Sequence, residues 1–200
     1  RTSGWKKKFG KRKEPEKICK GCAMKELCNG TAQVIPQDAF DKKLRSGKKL
    51  KIKFGMDPTA PDIHLGHAVV LSKLRQWQDL GHEVIVLIGD FTARIGDPSG
   101  KSKTRPPLSE KEIKANAKTY LEQVGKILDL DKTRIVYNSQ WLSELSFEEL
   151  LKILGKVTHA RVIERDDFQK RLAANESIGM HELLYPIMQG YDSVALKADL

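Results

Sequence analysis

The sequence predicts an α/β protein built on a parallel sheet, and three observations predict it. Apolar and polar residues alternate over Lys51–Met56, and a helical pattern running to Leu80 follows after a short polar turn. Glu83 to Phe91, EVIVLIGDF, is an almost continuous apolar run, which is how a strand covered on both faces reads. A third strand pattern, Thr133–Asn138, follows another helical stretch. Strands and helices that alternate in this way make βαβ units.

In chain order, residues 1–28 read as a basic extension without a packed core. A turn, an extended Val34-Ile35-Pro36 and a short helix over 37–45 come next. In the first strand Ile52, Phe54 and Met56 alternate with Lys51, Lys53 and Gly55. Pro58 and Pro61 break it. His64-Leu65-Gly66-His67 opens a helix with apolar positions at Val70, Leu71, Leu74, Trp77 and Leu80, and Gly81 supplies its stop signal. The second strand spans 83–91, and a loop rich in Gly, Pro, Ser and basic residues spans 92–107. Ser109 with Glu112 is a capping box that opens a helix to about Leu128. Ser146 with Glu149 is a second box, opening a helix to about Leu154. Short helices over 158–165 and 166–174 precede a last, largely apolar helix from His181 to Leu196. The helical stretch from about 146 onward reads as an insertion or a distal half-domain.

Bulk composition narrows the class. Of 200 residues, 40% are apolar and 31% charged, which suits a globular protein with a sizeable core. The sequence holds no apolar run long enough for a membrane span and no secretory signal, so a cytoplasmic setting is the default expectation. The net charge of +10 is uneven: residues 1–28 hold 10 Lys/Arg against 3 Asp/Glu. A basic tail of this kind can bind RNA, and the simpler alternative is a solvated extension. Cys19, Cys22 and Cys28 all lie in it, one ligand short of a zinc site, and read as reduced thiols. The chain begins at Arg1 without a Met and stops at Leu200 after a strongly patterned stretch, so it reads as a fragment.

The stretch from Asp57 to His67 carries the chemistry. A helix start leaves four N–H groups without an internal partner, and these groups and the helix dipole attract an anion. His64 and His67 are three residues apart and share the face over that anion. Gly66 between them lets a flat ring approach the backbone. A bare H-x-G-H is equally compatible with two capping or surface histidines, and a zinc pair lacks a third ligand at a recognisable spacing. The preceding strand and Asp57-Pro58-Thr59 favour a nucleotide site at the carboxyl end of a parallel strand.

Two further motifs stand out. Gly96–Arg105, GDPSGKSKTR, is not a P-loop, because Ile95 stands where the first glycine would be required. It reads as a flexible loop whose Lys101, Lys103 and Arg105 could meet a leaving pyrophosphate, with Asp97 placed to receive an ammonium, and a solvated basic loop is the plainer alternative. On the last helix, Tyr185, Gln189 and Asp192 share a face and suit a small polar ligand such as an amino acid. His82, His159 and His181 sit in no motif and read as packing or surface residues.

Taken together, these motifs resemble the class I aminoacyl-tRNA synthetases, specifically the bacterial tyrosyl-tRNA synthetases, over about Asn29–Leu200. PTAPDIHLGH (Pro58–His67) resembles the family's HIGH signature. GDPSGK (Gly96–Lys101) and YPIMQGYD (Tyr185–Asp192) resemble stretches of the tyrosyl enzymes. The resemblance implies the N-terminal part of a Rossmann-like catalytic fold, incomplete at its C-terminal side and carrying a helical segment. It implies tyrosine, ATP with Mg2+ and tRNA(Tyr) as substrates, and a homodimer. It assigns Thr59 and His64 to the β- and γ-phosphates, and His67 and Gly66 to the adenosine. Asp57 lies beside the nucleotide, and Lys101 and Arg105 clamp pyrophosphate. Asp97, Tyr185 and Gln189 hold the substrate ammonium, Gly55 lies by the substrate, and Asp192 accepts the tyrosine hydroxyl. One branch of the family places a tyrosine near the strand end, where this chain has Lys53. The Lys-Met-Ser-Lys-Ser-like loop is not within the sequence, so the 200 residues alone are expected to be inactive. The alternatives are another class I activity, such as tryptophanyl transfer, or a non-catalytic RNA-binding fragment.

Overall fold

The structure is a computed structural model and describes residues 30, 31, 33–95 and 108–200. The basic extension, its three cysteines and the loop carrying Asp97, Lys101 and Arg105 lie outside the described residues. The chain divides into two units, Arg1–Lys49 and Leu50–Leu200.

In the first unit, helix α1 (Gln37–Arg45) carries Asp38 in its first turn and Lys42, Lys43 and Arg45 in its last. That order complements the helix dipole.

The second unit is a three-stranded parallel sheet in the order β1-β2-β3. β1 (Lys51–Met56) pairs with β2 (Glu83–Ile88), Ile52 opposite Val84 and Met56 opposite Ile88. β2 pairs with β3 (Thr133–Tyr137), Val84 opposite Thr133 and Ile88 opposite Tyr137. β2 lies in the middle, and Val84 to Ile88 are all buried. A strand covered on both faces cannot alternate, hence the unbroken apolar run.

Helix α2 (Leu65–Asp79) connects β1 to β2 and packs on β2. Gly81 follows it at φ +85°, a left-handed position that glycine takes without steric cost. Buried Gln78 fixes its far end. Its amide nitrogen donates to Asp129 O and Thr133 Oγ1, both at 2.9 Å, and its oxygen accepts from Asp129 N at 2.9 Å. Helix α3 (Glu110–Val124) starts from the Ser109/Glu112 capping box, with Ser109 N donating to Glu112 Oε2 at 2.9 Å. After β3 come α4 (Ser139–Leu142), α5 (Phe147–Leu154), α6 (His159–Ile163), α7 (Asp166–Ala173) and α8 (Met180–Leu196). Leu196 of α8 packs with Ile85, Leu87 and Val136 on one face of the sheet. Beyond α8 the chain runs back beside β1, where Leu200 N donates to Lys51 O at 3.2 Å and Lys53 N to Leu200 O at 2.8 Å. That exchange is a parallel pairing on the outer edge of β1.

Three boundaries differ from the sequence pattern. The second strand ends at Ile88, not Phe91, because Gly89 N still bonds to Met56 O while Asn138 Oδ1 takes Phe91 N at 3.0 Å and turns the chain into a 3-10 turn over Thr92–Arg94. Helix α3 stops at Val124, capped by Gly125, rather than near Leu128. The short α4 is not visible as a pattern; it starts where Asp90 accepts from Ser139 N at 2.9 Å and from Ser139 Oγ at 2.6 Å.

Among the described residues no helix is long and apolar enough to cross a membrane.

Candidate active site

A cavity of about 540 Å³ opens at the carboxyl ends of β1 and β2. Ligands of open α/β sheets bind at such a place, because loops and helix N-termini converge there. Gly55, Asp57, Thr59, His64, Gly66 and His67 line one side, and Tyr185, Gln189 and Asp192 line the other. Nine sequence-predicted residues from two stretches of chain therefore meet in one cavity.

The side formed by the β1–α2 loop and the mouth of α2 is held rigidly. Side chains of α3 strap down the loop between β1 and α2. Asn116 Nδ2 donates to Pro58 O at 2.9 Å, Thr119 Oγ1 to Pro61 O at 2.7 Å, and Gln123 Oε1 accepts from Ile63 N at 3.0 Å. At the mouth of α2 the two imidazoles stack, with ring centroids 4.0 Å apart. His64 N donates to His67 Nδ1 at 3.2 Å. An accepting Nδ1 on a neutral ring puts the proton on Nε2 and leaves that nitrogen as a donor. Burial, with the charge of His64 added, holds His67 below the ordinary histidine range and favours that neutral ring. A capping bond and a place in the cavity lining thus coexist in the H-x-G-H pair. The backbone at Gly66 is approached by the His64 ring itself: a Cβ there would lie 2.9 Å from His64 Cε1.

Asp57 is seated equally closely. Its Oδ1 accepts from Thr92 Oγ1 and its Oδ2 from Tyr185 Oη, both at 2.8 Å. Only a glycine fits beneath it, since a Cβ at Gly89 would fall 1.9 Å from Oδ1.

At the other end Asp192 is 3% exposed. Trp141 Nε1 donates to its Oδ1 at 2.8 Å, and Asn138 Nδ2 reaches its Oδ2 at 3.4 Å. Burial pushes its carboxyl above the ordinary range, against the pull of Trp141, Asn138 and Lys53. Asn138, fully buried, also donates to Thr92 Oγ1 at 3.1 Å. A chain of hydrogen bonds, Tyr185–Asp57–Thr92–Asn138–Asp192–Trp141, therefore joins the two ends of the cavity. A satisfied buried network of this kind fixes its members in one arrangement.

Sequence reasoning missed Thr92, Asn138, Trp141, Tyr120 and Arg165. Tyr120 lines the cavity near His67, and Arg165 lines it while paired with Asp167 at 3.1 Å. Asn138 did carry a signal, a polar residue directly past the end of a strand in a parallel sheet. Of the remaining histidines, His82 packs edge-on against Trp77 and accepts from Leu50 N at 3.2 Å, while His159 and His181 are exposed. Among the described residues no three His, Cys, Asp or Glu side chains gather as a metal site.

The cavity at the sheet's carboxyl edge, the histidine pair at a helix mouth and the parallel topology define a Rossmann-like α/β class. Residues 45–200 match the family of tRNA synthetases class I (W and Y), and the chain belongs to that family. It is 57% identical over 178 residues to a tyrosine–tRNA ligase of Moorella thermoacetica, an alignment that spans 87% of this chain and 43% of that protein. It is 56% identical over 175 residues to a tyrosine–tRNA ligase of Haemophilus influenzae, spanning 88% and 44%. The chain therefore spans less than half the length of these relatives. Among solved structures it is similar to a C-terminally truncated mitochondrial tyrosyl-tRNA synthetase of Aspergillus nidulans. That likeness has a TM-score of 0.68 at 26% identity and covers 80% of this chain and 48% of the other.

Proposed function

We propose that the protein containing this chain is a tyrosine–tRNA ligase: it joins tyrosine to ATP as tyrosyl-adenylate and passes the tyrosyl group to tRNA(Tyr). The single observation that carries this is the one cavity with an anion-seeking helix mouth at one end and a buried, doubly hydrogen-bonded carboxylate at the other. Residues 29–200 are then the N-terminal part of the catalytic domain, and residues 1–28 a basic extension.

In the first step a tyrosine carboxylate oxygen attacks the α-phosphorus of ATP. The bond from that phosphorus to the bridging oxygen breaks, and pyrophosphate leaves. Catalysis of this kind needs alignment and charge stabilisation rather than a covalent nucleophile. Thr59 and His64 meet the β- and γ-phosphates. His67 and Gly66 lie by the adenosine, and Asp57 lies beside the α-phosphate. Lys101 and Arg105 receive pyrophosphate. Asp97, Tyr185 and Gln189 take the substrate ammonium, Gly55 lies along the substrate, and Asp192 accepts the phenolic proton. Mg2+ enters with ATP as part of the substrate.

A homodimer accords with an apolar groove of about 510 Å³ between α5, α6 and α8, lined by Ile153, Val157, Val162, Ile187 and Val194. Sedimentation of the full-length protein tests it. A cytoplasmic setting goes with this function.

The decisive experiment uses the full-length protein with His64→Ala and His67→Ala. Each should slow single-turnover adenylate formation by about 10²–10³-fold, the usual cost of a lost transition-state donor, with tyrosine affinity nearly unchanged. Unchanged activation rates refute the assignment. Tryptophan-dependent pyrophosphate exchange in place of tyrosine-dependent exchange would make it the tryptophanyl activity instead.

A further inference from the structure

Lys53 sits in β1, yet its ammonium lines the cavity beside Asp192. Two bonds hold it there: Nζ donates to Gln189 O at 3.2 Å and to Ser193 Oγ at 3.1 Å. Both acceptors belong to α8, the helix that carries Asp192. An ammonium has three N–H groups. The third has no partner among the described residues. Burial lowers the basicity of Lys53, and the charge of Asp192 opposes that loss. One end of the cavity therefore presents a fixed cationic donor and a fixed anionic acceptor side by side. A carboxylate alone can read only a ligand's O–H or N–H. A carboxylate with an ammonium reads a group that both donates and accepts, and a phenolic hydroxyl is such a group.

On the tyrosine-activation reading above, we infer that Lys53 is a specificity-determining residue that donates its third N–H to the phenolic oxygen while Asp192 accepts the phenolic proton. Phenylalanine leaves the third N–H of Lys53 and the acceptor position that Asp192 offers the phenol unpaired. 4-Aminophenylalanine satisfies Asp192, but its lone pair is delocalised into the ring and meets Lys53 poorly. Sites built to pair a hydroxyl reject analogues that lack it, because their own polar groups are then stranded. The backbone carbonyl and the serine hydroxyl hold the ammonium in place before substrate arrives, so little freedom is lost on binding.

The test is amino-acid-dependent ATP–pyrophosphate exchange by the full-length protein with tyrosine, phenylalanine and 4-aminophenylalanine. Lys53→Met keeps most of the stem and removes the charge. It should raise the KM for tyrosine more than it lowers kcat, and cut the preference for tyrosine over each analogue by about tenfold, the equivalent of one modest hydrogen bond. Ser193→Ala keeps the charge but loosens its anchor; it should move the same ratios a few-fold in the same direction, and it carries the test if Lys53→Met does not fold. A lysine that merely ties β1 to α8 would lower activity on all three amino acids alike and leave both ratios unchanged, which overturns the inference. Absence of tyrosine-dependent exchange in the unaltered protein would instead overturn the functional reading beneath it.

Discussion

Tyr185 Oη donates to Asp57 Oδ2 at 2.8 Å, so the last helix is tied to the end of the first strand. The same carboxylate takes Thr92 on its other oxygen. Tyr185→Phe removes the tie and the hydroxyl at once while keeping the ring. A hydrogen bond to a charged group contributes about 1.5–3 kcal/mol, so tyrosine affinity of the full-length protein should fall by tenfold or more. Equilibrium binding measures this directly, and an unchanged Kd would show that the hydroxyl serves only the fold.

Gly89 gives a second, independent handle on Asp57. A Cβ there would lie 1.9 Å from Asp57 Oδ1 and 2.4 Å from Thr92 Oγ1. Gly89→Ala must therefore push the carboxylate out of its seat. Misplacement by about 1 Å costs on the order of 10²-fold in a positioned reaction, and the rate of adenylate formation should drop by that factor. Single-turnover kinetics at saturating substrates read it, and a wild-type rate would mean that the seat is not needed.

Much of this side of the site was legible in the sequence. Asp57, Thr59, His64 and His67 lie within one short stretch, and local signals place them: a strand alternation, two prolines and a helix start. The two Ser/Glu capping boxes were legible for the same reason, since each partner is three residues away. Trp141 was not, and Asn138 showed only as a polar residue past a strand end, because each meets Asp192 only when β3 and α8 have docked. Thr92 escaped because the second strand peels off early, and the groups that turn it, Met56 O and Asn138 Oδ1, are remote in sequence. The alternation placed Lys53 on the face opposite Ile52, Phe54 and Met56, but alternation says which face a residue takes and not what lies above that face.

The pH dependence of tyrosine binding follows from Asp192. Burial raises its carboxyl above the ordinary 3.8, so it takes up a proton at higher pH than an exposed aspartate. The ionised form accepts the phenolic hydrogen bond about twice as strongly as the neutral one. Affinity should therefore fall as pH is lowered, beginning above the usual carboxylate range. Trp141→Phe removes a donor that favours the charged form, and the loss should then begin at still higher pH. Tyrosine titrations at a series of pH values compare the two midpoints; coincident midpoints would contradict the role given to Trp141.

Stability has a separate centre. Arg171 donates from Nη1 to Glu182 Oε2, and from Nη2 to Glu182 Oε1 at 3.2 Å and to Ser177 O, while Glu182 Oε1 also takes Gly179 N at 2.8 Å. The pair joins α7 to the start of α8, and both side chains are nearly buried. Arg171→Met strands the carboxylate and should cost about 3–5 kcal/mol in urea unfolding, the range for half of a buried pair. Hydrogen bonds from Arg171 depress the Glu182 carboxyl below 4.5. Its contribution is thus present above that value and is lost as pH falls through the depressed one. In Glu182→Gln that portion of the acid sensitivity should vanish.

Gln78 closes the far end of α2, some fourteen residues from the imidazoles at the other. At 1.5 Å per residue that is a lever of about 21 Å, so a tilt of only about 3° at the glutamine would swing the histidines by about 1 Å. This amide, at the end of the helix away from the cavity, thereby shares with the α3 straps at the other end in setting the aim of the whole helix. Damage to it would surface as lost chemistry as well as lost stability.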